Sequence, residues 1–487
     1  MRTDPPGTAD QDDIEIAAGG SGGASLLERD DLPEPLPLRR VLGPSLVLLA
    51  VGLGSSEFVL WPFVSSRVGL GLIWIAVIGL ATQFFVNMEI ERYTLATGET
   101  VIAGFTRMWA HWAWIFLVLI AISWVWPGWV VGASTVAGFV FGWQPDTVAT
   151  VSVLGLVAIG IALSVSPVVY RAVERMQWVL VGWVVAFAVV AAFLATDLDT
   201  WATIATDFNL QLHPDLSPPL ILGLLVFAGA GGTLNLALSN WVRDKGMGMG
   251  ARLMPLESPL TGHPTRAVPV GQPFRDSEEN LRRWQGWWRV ANQEHLLLFF
   301  LLGLVIIATL SALSTATVFG LDLGQGLDFI RAEGRTLGEQ VGPWFRNLFW
   351  VSGAVILFST NLGILDHLGR LIADILKVNW LADRDAWSES KLYVSVVWGE
   401  IAAGSVILLF ALDAPLVLMV IAAALGGVAM LIYSALLIRL NRSTLPGTIR
   451  LKGLRLWAMI WSVILFAGFS FFVIWTGVAP AVTGGAG

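Results

Sequence analysis

The chain contains no cysteine, which removes disulfides, thiolate metal sites and cysteine nucleophiles together and leaves the redox compartment unreadable. Charge is scarce as well: Asp, Glu, Lys and Arg make up 13% of 487 residues, where an ordinary soluble domain carries roughly a quarter. No basic segment leads into a short apolar core near the N-terminus, so a cleaved signal peptide is not expected. Zinc-hydrolase, nucleophile-elbow and P-loop motifs are missing, and no enzyme activity, cofactor or nucleic-acid partner is expected. What remains is apolar. Hydrophobic residues make up 55% of the chain and the mean hydropathy is +0.71, the signature of an all-α polytopic membrane protein whose first partner is the lipid bilayer.

Eleven apolar runs are long enough to cross a hydrocarbon core of ~30 Å. They fall near 43–64, 70–90, 112–141, 146–165, 177–196, 219–241, 295–319, 345–371, 392–411, 414–438 and 455–477. Basic residues collect on the cytoplasmic side of a membrane. With the N-terminus inside, only Arg67, Arg331, Arg335 and Arg346 of the 29 Lys and Arg fall outside, and Arg370 lies within a span. A missed or invented span would destroy that asymmetry. The expected topology is therefore multi-pass in the plasma membrane, the inner membrane for a bacterium, with the N-terminus cytoplasmic and the C-terminus outside. The expected organisation has five parts: a disordered, acidic cytoplasmic tail over 1–40, a first set of five helices over 41–196, an extracellular loop over 197–218, a second set over 219–440 with a cytoplasmic insertion at 242–293, and an eleventh helix with an outer tail over 441–487. Within the insertion, "FRDSEENLRRWQGWWRV" reads either as an interfacial helix on the membrane or as a packed cap.

Two sets of five helices have opposite topology, and transporters built this way bind substrate where one helix of each half is interrupted near the midplane. The first span carries "GLGSSE" from Gly52, the sixth "GAGGTLN" from Gly229. At ~1.5 Å per residue, Gly54 and Gly229 each lie roughly 15–17 Å into the core. One such cluster alone would indicate close helix packing. Two at matched depth, one beside a carboxylate, point to unwound helices whose free backbone dipoles lipid cannot satisfy but a solvated ligand site can. A carboxylate there costs at least a few kcal/mol. No basic residue sits at comparable depth, so Glu57 is expected to bind a cation or a proton. The candidate substrate site is Gly54, Ser55, Ser56, Glu57, Gly229, Gly232, Thr233 and Asn235, with Glu57 the charged ligand for a metal.

The stretch "GPSLVLLAVGLGSSEF" resembles the opening of the first helix in the Nramp family of divalent-metal transporters: Gly43 and Pro44 match its GlyPro start, and Phe58 follows its signature position. "LATGET" at 95–100 is similar to the end of that family's second helix. The resemblance implies a LeuT-like fold of two inverted five-helix repeats plus an eleventh helix, and metal uptake coupled to protons. Where the family reads AspProGlyAsn, this chain reads Gly54, Ser55, Ser56, Glu57; where it reads MetProHis followed by Asn, this chain has Gly232, Thr233, Leu234, Asn235. The helix-three acids of the family fall on Trp126 and Trp129. Thioether and imidazole are gone, and an all-oxygen site suits magnesium or manganese better than iron. The leading expectation is a secondary transporter of such a dication; the other is the same fold moving a small non-metal solute, with Glu57 as a proton or sodium site.

Outside the breaks, Asp366 and Arg370 stand one turn apart in the eighth span beside His367. They read either as a structural ion pair or as a cytoplasmic gate or proton relay. Ser359, Thr360 and Asn361 lie deeper and are candidates to line a path. Asn87, Glu89, Glu91 and Arg92 form a polar collar read as interfacial solvation, "SNWVRDKGMGMG" reads as a hinge, and the tryptophans as membrane belts and packing.

Overall fold

The computed structural model describes residues 29–482 apart from 55, 167, 208–215, 254, 261–270, 322, 324–325, 385 and 410–414. Ten of its helices are long and apolar enough to cross a membrane: Pro44–Val68 (helix one), Ile73–Thr97 (two), Trp112–Phe141 (three), Pro145–Val165 (four), Val169–Ala195 (five), Glu278–Val318 (seven), Pro343–Asn379 (eight), and stretches of nine, ten and eleven, Glu389–Leu408, Ala422–Ser443 and Leu454–Val473. The remaining one, helix six, consists of two halves too short to qualify alone, Pro218–Val226 and Ala237–Asp244. Proline opens helices one, four, six, eight and ten at the first residue, a position where its missing N–H is lost anyway. Helix two stops at Gly98, whose φ of 70° is left-handed and accessible to glycine without a Cβ clash.

Helix one is buried throughout its span, whereas helices four, five, nine and eleven expose most of theirs through side chains such as Leu154, Phe193 and Trp457. Apolar exposure of this kind needs a lipid solvent. The 37-residue helix eight runs through the middle. It meets helix one through glycines: a Cβ on Gly353 would lie 2.2 Å from the Phe58 ring, and one on Gly363 would lie 1.9 Å from Val51. Small residues let two spanning backbones approach where lipid supplies no hydrophobic drive.

Among the described residues, three helices are interrupted. Helix one is α-helical to Gly52, turns at Leu53 and Gly54, and resumes as a wide π-turn over Ser56–Leu60 before Trp61–Val68; Pro62 cannot donate back to the preceding turn. Helix six is non-helical from Phe227 to Gly231, with φ of 91° at Gly229 and 87° at Gly231. Helix three breaks between Trp124 and Gly128, because Pro127 removes a backbone donor there. The third interruption is not among the breaks expected from sequence.

Two segments pack more tightly than sequence suggests. The tail expectation for 1–28 lies outside the described residues, but 29–37 forms a strap: Leu32 is buried, its N–H donates to Asn280 Oδ1 at 3.1 Å, and Arg283 and Trp287 donate to Leu32 O and Pro33 O. That strap covers Glu278–His295, the first part of helix seven. Trp284 and Trp287 on it are buried, so this stretch is a packed cap continuous with a spanning helix and not a helix lying on lipid.

Candidate functional site at the broken helices

The interruptions of helices one and six touch. A Cβ on Gly52 would lie 1.9 Å from Gly229 O, so the two unwound backbones are in direct contact and only glycine fits. Glu57 joins them: its Oε1 accepts from Gly229 N at 3.0 Å and its Oε2 from Ser56 Oγ at 2.7 Å. Ser56 Oγ also lies against Phe227 O of helix six. Both residues are fully buried. Gly54 donates its N–H to Thr360 Oγ1 of helix eight at 2.8 Å. Ser55 lies outside the described residues.

A dry interior demands that each backbone group freed by an unwound helix find a partner. Helix six meets that demand through Gln83 of helix two, whose Nε2 lies 2.7 Å from Ala228 O, 2.9 Å from Val226 O and 3.2 Å from Leu225 O. Asn235 accepts from Gly231 N at 3.1 Å and donates to Gln83 Oε1 and to Tyr433 OH. Tyr433 OH in turn donates to Gly232 O at 3.1 Å. Thr233 Oγ1 accepts from Trp124 Nε1 at 2.9 Å, at the edge of the helix-three break.

Of the sequence candidates, Gly54, Ser56, Glu57, Gly229, Gly232, Thr233 and Asn235 therefore lie at one centre. Asp366, His367 and Arg370 do not form a unit. The Asp366–Arg370 pair is real, with Nε 2.8 and 2.9 Å from the carboxylate oxygens. Asp366 also accepts from Trp241 and Tyr393, and Arg370 reaches Asp244 at 2.5 Å. Arg243 continues the chain to Glu389 at 2.9 Å. All of these side chains are buried, tying the end of helix six to helices eight and nine. His367 turns the other way, edge-on to Trp124 at 5.3 Å, next to the residue that bonds Thr233. Trp124 also stacks on Trp129.

Gln83, Tyr433 and Trp124 were not singled out from sequence. Gln83 carried a readable signal, since it is an uncharged amide alone in the apolar run "IGLATQFFV", where a polar group costs free energy unless bonded. Tyr433 and Trp124 carried none, because aromatics in spans usually pack. The collar on helix two also differs from its interfacial reading: Asn87, Glu89 and Glu91 are buried, with Glu89 holding Arg92 at 2.7 Å.

No protein-family model matches the chain, and no curated protein sequence does. Solved structures do match. A single-residue variant of the manganese transporter of Eremococcus coleocola superposes with a TM-score of 0.67 at 13% identity, covering 93% of this chain and 91% of that one. The same transporter in complex with an aromatic bis-isothiourea compound gives 0.68 at 13% identity over the same shares. At that identity the likeness concerns the fold, which is LeuT-like: two inverted five-helix repeats and an eleventh helix.

Proposed function

We propose that this chain is an Nramp-like secondary active transporter that moves a divalent cation, magnesium or manganese in preference to iron, through the contact between the breaks of helices one and six. One observation carries the reading. The Glu57 carboxylate lies buried between the two unwound backbones, bonded to Gly229 N and Ser56 Oγ, and among the described residues no cationic side chain is bonded to it. A charge so placed calls for a mobile counter-ion. The groups around it are carboxylate, hydroxyl, amide and carbonyl, a hard donor set. The likeness to a manganese transporter supports the reading at the level of fold.

Because Glu57 belongs to helix one and Gly229 to helix six, a cation taken by the carboxylate competes with the bond that joins the halves. Binding and rearrangement are thereby linked, as alternating access requires. The buried chain Asp366–Arg370–Asp244 fastens the far end of helix six to helix eight and serves as the gate in this scheme, with His367 placed near the centre as a candidate proton carrier.

A specific observation also favours the second reading. Both Glu57 oxygens already hold protein donors, which suits a proton or sodium site beside a small organic solute. Uptake of magnesium and manganese into liposomes containing the purified protein, with Glu57→Gln alongside, separates the two. Uptake by the native chain that disappears in Glu57→Gln is the expected result; intact vesicles that accumulate neither ion would overturn the dication reading.

A further inference from the structure

A second cluster of metal-ligating groups lies away from the broken helices. Glu91 of helix two and Glu294 and His295 of helix seven each place one ligand atom within 4.8 Å of the others. All three are buried. Glu294 Oε1 accepts from Gly43 N and Ser45 N, both at 3.1 Å, and so holds the start of helix one. Ser45 Oγ contacts the other Glu294 oxygen and lies 2.7 Å from His295 Nδ1. Ser45 precedes Gly54 by nine positions, so the cluster sits roughly 13 Å along helix one from the break.

The polar atoms here are not used up. Neither carboxylate oxygen of Glu91 has a hydrogen-bond partner, and His295 Nε2 has none. His295 Nδ1 faces Glu91 Oε1 at 3.3 Å without hydrogen-bond geometry. That separation is about the edge of a ligand tetrahedron drawn with metal–ligand distances of ~2.0–2.2 Å. Arg455, whose charge also acts on Glu91, donates to Asn292 and stacks over Trp288 at 4.6 Å. Two buried carboxylates this close call for a shared proton or a counter-cation, and an imidazole whose Nε2 has no hydrogen-bond partner supplies the nitrogen that the broken-helix centre lacks.

We propose that Glu91, Glu294 and His295 form a resident site for a divalent transition metal of the zinc or manganese type, distinct from the transport centre. Two carboxylate oxygens and one imidazole nitrogen make three protein ligands, leaving a fourth position for water or the Ser45 hydroxyl. The donor set is mixed nitrogen and oxygen, which favours zinc and manganese over magnesium or calcium. A dication balances the two carboxylates. Through Glu294 it also fastens the start of helix one to helices two and seven, so the metal stiffens the base of the half-helix whose other end carries Glu57.

The test uses the full chain in detergent, stripped with a chelator, loaded with zinc and freed of excess by desalting, with bound metal counted by elemental analysis. The expected result is one equivalent on the native chain and on Glu57→Gln, and on Glu91→Gln and His295→Gln a loss of affinity of at least about tenfold, the lower end of what removing even an outer-shell partner costs. Glu294 is left intact because it also caps helix one; Glu91→Gln keeps the side-chain shape and removes no hydrogen bond. Cobalt provides a second readout, since a visible absorption band on the native chain should vanish in His295→Gln. A native chain that retains no zinc would overturn the proposal, as would equal retention in Glu91→Gln and His295→Gln. Retention lost only in Glu57→Gln would assign the metal to the broken helices and also overturn it. Zinc that stays on Glu57→Gln and leaves with Glu91→Gln and His295→Gln belongs to this cluster whatever the broken helices carry, so failure here and failure of the dication reading are distinguishable.

Discussion

Replacing Gln83 by Leu keeps the volume in helix two and removes the only amide that reaches the unwound carbonyls of helix six among the described residues. Two of its contacts, 2.7 Å to Ala228 O and 2.9 Å to Val226 O, use both N–H groups; the 3.2 Å contact to Leu225 O shares one of them. Each acceptor orphaned in a dry interior costs ~1–3 kcal/mol, so two cost about 2–6 kcal/mol, and the penalty falls on the closed arrangement of the break alone. At ~1.4 kcal/mol per factor of ten, local opening becomes about 30-fold to 10⁴-fold more frequent. The cysteine-free chain makes this measurable. Ala230 is 1% exposed within the break, and Ala230→Cys introduces a single thiol whose maleimide labelling reports opening. Labelling should accelerate by that factor when Gln83→Leu is added. A rate within about threefold of the parent would refute the view that Gln83 stabilises the unwound segment through its hydrogen bonds.

Two further predictions concern the contact between the breaks and a buried acid outside the spans. Gly52→Ala places a Cβ 1.9 Å from Gly229 O, a backbone atom that cannot rotate away, so it should cost ~1–3 kcal/mol or more; Gly182→Ala, which meets nothing within 4 Å, should be neutral in the same thermal-unfolding assay. Glu333 belongs to the connecting helix Asp328–Gln340 and is buried, and burial pushes its carboxyl up to about 8 against a lowering hydrogen bond with Ser314. The folded chain then holds a proton that the unfolded chain releases above the group's ordinary value of 4.5. This contribution is complete below that value and lost as pH rises toward 8, on the order of a few kcal/mol. Glu333→Gln should flatten the fall in stability between those two pH values, and an unchanged slope in the variant would sink the assignment.

Hydropathy and loop charge are sums over many residues, and the eleven spans expected from them correspond to the helices of the structure. The breaks at Gly54 and Gly229 were legible for a related reason: glycine clusters and an intramembrane acid are local anomalies in apolar runs. What sequence could not show is which distant group closes each break. Gln83 meets helix six, Tyr433 meets Gly232 and Trp124 meets Thr233 only because three separate helices converge, and no spacing within one helix encodes that. The same limit explains Asp366 and His367. Adjacent residues on a helix point about 100° apart, so one joins the ion chain to Asp244 through Arg370 and the other faces Trp124. Glu91 makes the point most fully. On helix two alone it is one charge in a collar beside Asn87, Glu89 and Arg92, and solvation by the interface is the economical account. Helix seven brings Glu294 and His295 against it, and an acid that looked solvated becomes one of three buried ligands around a position that calls for a cation.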